Sequence, residues 1–421
     1  MDRLLLLVPT TTYRAAPFSD AARALGVAVT IASEEPSTLE ELQPTELLTL
    51  DFSRPKTAAE QAAAFAQQHP LRAVLAVDDG ATEAAAAIAE RLELRHHSRE
   101  AVATARDKLH CREVLEAAGL PQPAWRLVTD SDNPVEVSRE LATCGDSRVE
   151  ATVVGFPCVL KPRRLAASQG VIRANDTDEF VTALARLRAL LAEPAISRLA
   201  GDGVVVERYI SGREVAVEAL ACNGTVKILE IFDKPDLGKG PFFPEETYVA
   251  PAALSLEERQ QLASTVQRAT TALGLSEGAI HAELKLHDGK AWVIEIAGRS
   301  IGGLCASVLR FSGMPLEEIL LLRALGRRLP SLERDGSAVG VRMLYPPRAG
   351  KLRVVEGLRM AEAIEGVTGV RITAHRGQML MPPPDGGMYL GFIFGAGETP
   401  EAVVQALTLA ASKLDVVMRQ S

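Results

Sequence analysis

Short continuous apolar runs alternate with longer amphipathic stretches along the first hundred residues. Residues 4–8, 27–32 and 73–77 are short apolar runs broken only by Thr30, the pattern of strands buried on both faces of a parallel sheet. Between them, 19–25 and 57–69 carry helical spacing, and an alanine-rich helix over 81–92 follows Asp78-Asp79-Gly80. This alternation predicts a doubly wound α/β sheet. The turn after the first run, Pro9-Thr10-Thr11-Thr12-Tyr13, lacks a GxGxxG fingerprint and gives no support for dinucleotide binding.

A helix over 101–118 stops at Gly119-Leu120-Pro121. Beyond a polar stretch over 129–151, the pattern predicts a strand over 157–161, a Ser/Gly turn, and a helix over 177–191. Asp176 and Glu179 have the spacing of a capping box for that helix. Strands follow over 204–209, 215–221 and 226–232, and Ser255 with Glu258 caps a helix that ends at Gly274. From about Gly336 the chain turns strand-rich, over 339–344, 351–355, 370–374 and 389–395. A last helix opens at Thr399-Pro400-Glu401, and its stripe of Val403, Leu407, Ala410, Leu414 and Val417 reads as a face packed on a small sheet.

Length and composition narrow the class. A chain of 421 residues exceeds one core and implies roughly two to four domains. With aromatics at 4%, the cores must be built from Ala, Val, Leu and Ile. A net charge of −8 argues against a nucleic-acid surface or a basic membrane face. Cys111, Cys144, Cys158, Cys222 and Cys305 lie far apart, which fits reduced thiols in the cytoplasm and no zinc or disulfide framework. The opening apolar run follows Asp2 and ends at Pro9, too short for a secretory leader, and no run approaches the roughly 20 residues of a membrane helix. A soluble protein is expected.

Three clusters carry chemistry. In Gly155-Phe156-Pro157-Cys158-Val159-Leu160-Lys161-Pro162, a strand ends in an ammonium that can bind phosphate, and Ser168-Gln169-Gly170 has the composition of a loop whose N–H groups cover one. In Val204 to Glu214, a strand ends at Glu207, whose carboxylate can accept from a purine amine, while Glu214 is placed for ribose hydroxyls. The third cluster, Ala282 to Arg299, has two apolar runs flanking Asp288-Gly289, a hairpin signal. A two-residue loop puts Glu283 and Glu295 on opposite faces. A three-residue loop, 287–289, makes them diagonal neighbours that can hold Mg²⁺ between them, and this second register is the expected one.

Taken in this order, the clusters resemble the ATP-grasp superfamily, closest to its dipeptide-forming L-amino-acid ligases. The resemblance is loose over the N-terminal domain and close over 101–313. Arg106-Asp107-Lys108 resembles the family's first lysine motif and Phe156 to Pro162 its second. Glu207, Arg208, Tyr209 and Ile210 resemble the adenine hinge, Glu214 the ribose carboxylate, and Glu283 with Glu295 the metal pair. Where many members place Asn after the second metal glutamate, this chain has Ala297. A similar departure occurs in the L-amino-acid ligases, as does the Gly391-Phe392-Ile393-Phe394-Gly395 tail.

The resemblance implies three parts: a Rossmann-like domain over 1–101, an ATP-grasp domain over 102–313 with a mobile lid lobe over about 152–210, and a small α+β domain over 314–421. It implies a carboxylate–amine ligase that uses ATP and Mg²⁺, with Mn²⁺ as the alternative ion, acts through an acyl-phosphate, and is compatible with a homodimer. Lys108, Lys161, Ser168 and Gly170 would hold phosphates. Arg299 would stabilise charge at the reacting carbonyl. Glu245 would bind or deprotonate the amine, and Tyr248, Gly302 and Gly303 would shape the substrate pocket. An acyl-phosphate-releasing phosphotransferase and a nucleotide-binding regulatory protein without turnover are the competing expectations.

Overall fold

The computed structural model describes residues 2–37, 39–40, 43–144, 153–194, 196–197, 201–235 and 240–419. Four parallel strands open the chain, ordered Leu47–Thr49, Ala28–Ser33, Arg3–Leu7, Ala73–Ala76. Leu4 to Leu7 are fully buried because the sheet is covered on both faces. The doubly wound sheet is as expected. Its three-residue edge strand Leu47–Thr49 is only half-buried and gives no run long enough to read.

The expected helix over 101–118 is two helices, Arg99–Arg106 and Lys108–Ala117. Asp107 leaves the helical region there, and its carboxylate accepts the Leu109 N–H, which makes it the N-cap of the second helix. Lys108 thereby becomes the first residue of a helix.

An antiparallel sheet ordered Trp125–Val128, Val204–Arg208, Cys158–Pro162, Ile172–Ala174 forms a separate lobe. Helices Pro134–Thr143 and Thr177–Leu191 back it, around Leu160, Phe180, Leu184 and Leu187. The lobe therefore begins near Trp125, upstream of the expected boundary. Part of the polar stretch over 129–151 is the Asn133-capped helix Pro134–Thr143, and the rest of it from 145 lies outside the described residues. Asp176 caps its helix, but the Glu179 carboxylate bonds Asn175, so that capping box is only half formed. The box at Ser255 and Glu258 is complete.

Eight antiparallel strands make the central sheet, in the order Lys290–Ala297, Gly278–His287, Arg213–Cys222, Thr225–Asp233, Thr247–Ala250, Ala338–Leu344, Gly391–Gly397, Val367–Ile372. Three of these come from beyond 314, so the expected boundary at 313 is bridged by one continuous ladder. Helix Leu316–Ala324 is buried nearly all round, Glu317 included, and packs between the N-terminal and central sheets. A three-stranded sheet, Met379–Leu380, Gly350–Glu356, Asp415–Arg419, completes the C-terminal part. Helix Pro400–Ala411 buries Val403, Leu407 and Ala410 as expected, but it ends before Leu414, and Val417 belongs to the following strand. Apolar spacing alone does not separate a helix from the strand that continues its period. Among the described residues, no helix is long and apolar enough to cross a membrane.

Candidate active site

The lobe, the central sheet and the N-terminal domain enclose a cavity of about 670 Å³. Its floor is the hairpin Gly278–His287 and Lys290–Ala297. The turn is the two-residue Asp288-Gly289, both at positive φ (48° and 66°), which corrects the expected three-residue loop. A β-bulge makes Ile294 an extra residue, so Glu283 lies directly opposite Glu295 instead of diagonal to it. The two carboxylates do share one cavity wall. Ala297 pairs with His281 in the ladder and offers no ligand atom. Among the described residues, no three His, Cys, Asp or Glu side chains gather as a metal cage. Two carboxylates facing open space suit Mg²⁺, which takes its remaining ligands from phosphate and water. Zn²⁺ would need more protein ligands.

Glu283 is densely partnered. The Tyr248 hydroxyl donates to it at 3.2 Å, Lys234 Nζ lies at 3.3 Å and His281 Nε2 at 3.6 Å. Burial opposes its charge, but Lys234 and His281 hold its carboxyl well below the usual carboxylate range. Burial also opposes the charge on His281, but the carboxylates of the fully buried Glu218, 3.5 Å away, and of Glu283, 3.6 Å away, raise it to about 9. Lys234 was not singled out from the sequence. It follows directly on the strand Thr225–Asp233 and stands among Glu214 at 2.6 Å, Glu283 at 3.3 Å and Glu245 at 3.8 Å. The signal was available: Lys234-Pro235 repeats Lys161-Pro162, a strand running out into a lysine before proline.

On the lobe side, Lys161 Nζ contacts Glu207 Oε2 at 2.7 Å, and Arg112 Nε donates to Glu207 Oε1 at 2.7 Å. Burial works against this carboxylate, yet the two cations hold it at about 2. Glu207 therefore orients two cations, and a purine amine bonded to its carboxylate would share those oxygens with them. Glu214 is likewise engaged by Lys234, and Lys285 Nζ lies 3.6 Å away. Lys285 also donates to the Ile210 carbonyl at 2.9 Å and stands over the Tyr209 ring at 4.7 Å. Arg208, Tyr209 and Ile210 all line the cavity.

Lys108 Nζ donates to the Leu165 carbonyl at 2.7 Å, which places it beside the lobe loop. Ser168 lines the cavity, but Gly170 does not, and its N–H donates to the Pro384 carbonyl at 2.8 Å. The loop faces the cavity through 166–168, and Gly170 instead anchors it to the C-terminal part.

Arg299 reaches Asp79 at 2.7 Å across the domain interface. Burial disfavours its charge, and Asp79 more than restores it. Arg14 ties the same junction together, donating to Ser300 Oγ at 2.7 Å. Glu245, Tyr248, Gly302 and Gly303 line the same cavity. Burial, then Glu283, raises the Glu245 carboxyl to about 7.

Family models match an ATP-grasp N-terminal domain over residues 19–96, an ATP-grasp domain over 154–308 and an L-amino acid ligase C-terminal domain 2 over 342–419. Alanine–anticapsin ligase of Bacillus subtilis (strain 168) is 28% identical across 55% of this chain and 49% of its own length. Dapdiamide A synthase of Enterobacter agglomerans is 29% identical across 56% and 52%. The chain thus spans about half the length of these two relatives. Among solved structures, L-amino acid ligase from Bacillus licheniformis matches with a TM-score of 0.76 at 23% identity, covering 100% of this chain and 99% of that one. Phosphoribosylglycinamide synthetase from Anaerococcus prevotii matches at 0.68 and 16% identity, covering 99% and 100%. An ATP-grasp cavity flanked by both matched end domains places this chain in the ATP-grasp superfamily, with the C-terminal domain of its L-amino acid ligases.

Proposed function

We propose that the protein is an ATP-dependent carboxylate–amine ligase, joining two amino acids or close analogues and releasing ADP and phosphate. The observation that carries this is the arrangement of one cavity. The Glu283–Glu295 pair and the cations Lys108, Lys161 and Lys234 form one set and Arg299 with Glu245 a second, and the two meet where Lys234 stands 3.3 Å from Glu283 and 3.8 Å from Glu245. The first set suits a nucleoside triphosphate and the second a carboxylate meeting an amine.

Glu283 and Glu295 would hold Mg²⁺, or Mn²⁺ with the same preference for oxygen. The ion supplies neutralisation of triphosphate charge. Lys161, steered by Glu207, and Lys108, at its helix start, hold phosphate oxygens. The segment 207–210 receives the purine through backbone groups, and Glu214 receives the ribose. Arg299, aimed by Asp79, stabilises charge on the carboxylate as it takes the γ-phosphoryl group and again as the amine displaces phosphate. Glu245 seats the ammonium or takes its proton. Ser168 and the lobe loop keep water from the acyl-phosphate. All these residues come from one chain, so a homodimer is not required to complete the site.

A matrix of amino acids offered as both acid and amine, read by phosphate release and by mass spectrometry of the product, tests this. Phosphate with an amide product, formed only when both partners are present, is the expected result. Acyl-phosphate formed with the acid alone would make the protein a phosphotransferase. ATP binding with no ADP under any pair would make it a nucleotide sensor.

A further inference from the structure

The carboxylate assigned to the amine, Glu245, is held from behind by two tyrosines that belong to the C-terminal part of the chain. The Tyr345 hydroxyl accepts the Glu245 N–H at 3.0 Å. The Tyr389 hydroxyl donates to Glu245 Oε2 at 3.1 Å, while Lys234 faces Oε1 at 3.8 Å. Tyr389 is 5% exposed and lines the cavity. Its ring meets Tyr345 at 5.3 Å, Phe392 at 5.3 Å and, from the N-terminal domain, Tyr13 at 6.1 Å. Tyr13 lines the cavity as well. Beside Glu245, the wall is therefore aromatic and is built where the three parts of the chain converge.

From this geometry we propose that Tyr389 is the specificity-determining residue for the amine substrate. Its hydroxyl positions Glu245 for the ammonium, and its ring, with Tyr13, forms the wall that limits the substrate side chain. The inference rests on the ligase reading and deepens it to a substrate class: α-amino acids whose side chain is apolar and small enough to stop at that wall. The physical basis is that a buried carboxylate keeps one geometry only if its oxygens are partnered, and Tyr389 partners the one that Lys234 does not. The residues just before Tyr389 explain how this wall stays in register with the lobe. Asp385 takes a bidentate bond from Arg186 at 2.9 and 2.7 Å, and its carbonyl accepts from Gln169 at 2.8 Å.

The experiment uses the full chain and the amine found most active in the matrix assay. Tyr389→Phe keeps the ring and removes the hydroxyl. KM for the amine should rise about tenfold, with kcat and the KM for ATP within about threefold of the parent. Tyr389→Ala also opens the wall, so the ratio of kcat/KM for phenylalanine over alanine as the amine should rise about tenfold. An amine KM in Tyr389→Phe within about twofold of the parent overturns the positioning role, whatever becomes of the alanine variant. An unchanged ranking of amines in a folded Tyr389→Ala overturns the wall. A parent chain that forms no amide with any pair removes the ligase reading, and this inference falls with it.

Discussion

Glu207 has each carboxylate oxygen on a different cation, Arg112 and Lys161, and is 2% exposed. Removing one partner of such a buried set leaves unpaired charge, so Glu207→Gln should cost about 3–5 kcal/mol at neutral pH. The folded carboxyl titrates at about 2 against an ordinary 4.5. Its contribution is complete above about pH 4.5 and drains away as pH falls toward 2, because the unfolded chain then binds the proton first. Denaturant melts of parent and variant should therefore converge across that window. A gap that stays constant from pH 6 to pH 3 would mean that the carboxylate is not charged in the fold. The metal pair divides differently. Glu283 has three partners, whereas Glu295 makes no ion pair among the described residues. Both Gln variants should cut turnover at least about a hundredfold, on the order of 3 kcal/mol of barrier. Only Glu283→Gln should also lower the melting temperature, and near-normal turnover in either variant at saturating Mg²⁺ removes the assignment.

At the scale of elements, the site is built from strand ends and one irregular hairpin. Two strands run out into lysine just before proline, which cannot donate to a further ladder, so Lys161 and Lys234 both project where the sheet stops. Lys161→Ala and Lys234→Ala should each weaken ATP binding measured by calorimetry, and the loss should shrink for adenosine, which carries no phosphate. Equal losses for both ligands would assign the lysines to the purine or to the fold. Lys161 was legible from its Lys-Pro strand end and the Ser168-Gln169-Gly170 turn after it; Lys234 shares the Lys-Pro ending, but its partners arrive from Glu214, Glu245 and Glu283, far apart in the chain. The hairpin was legible from Asp288-Gly289, but its register was not. Ile294 is one apolar residue in an apolar run, and a bulge leaves no trace in such a pattern. The parallel sheet was readable from its runs alone, because burial on both faces removes polar positions. The Glu207–Arg112 pair was not legible for the opposite reason: its members lie 95 residues apart.

For the whole molecule, the placement of Arg299 depends on the N-terminal domain. Arg299 leaves the central sheet just after Lys290–Ala297, but its guanidinium is directed by Asp79, in the first turn of a helix at the end of the N-terminal sheet. Arg14 and Ser300 fasten the same seam next to it. Nothing local to the Arg299 motif announces this dependence. If Asp79 sets the direction of the guanidinium, Asp79→Asn should lower kcat for amide formation about tenfold or more, while ATP still binds to the lysines. Arg299→Lys should not rescue Arg299→Ala, since an ammonium lacks the planar fork that can hold Asp79 and a developing charge together. The sharper measurement is the double-mutant cycle. Asp79→Asn added to Arg299→Ala should cost almost nothing further in kcat, because the residue that Asp79 aims is already gone. Additive losses would show Asp79 acting on the substrate in its own right, and a rise in KM for the acid with kcat unchanged would reduce Arg299 to a recruiting residue.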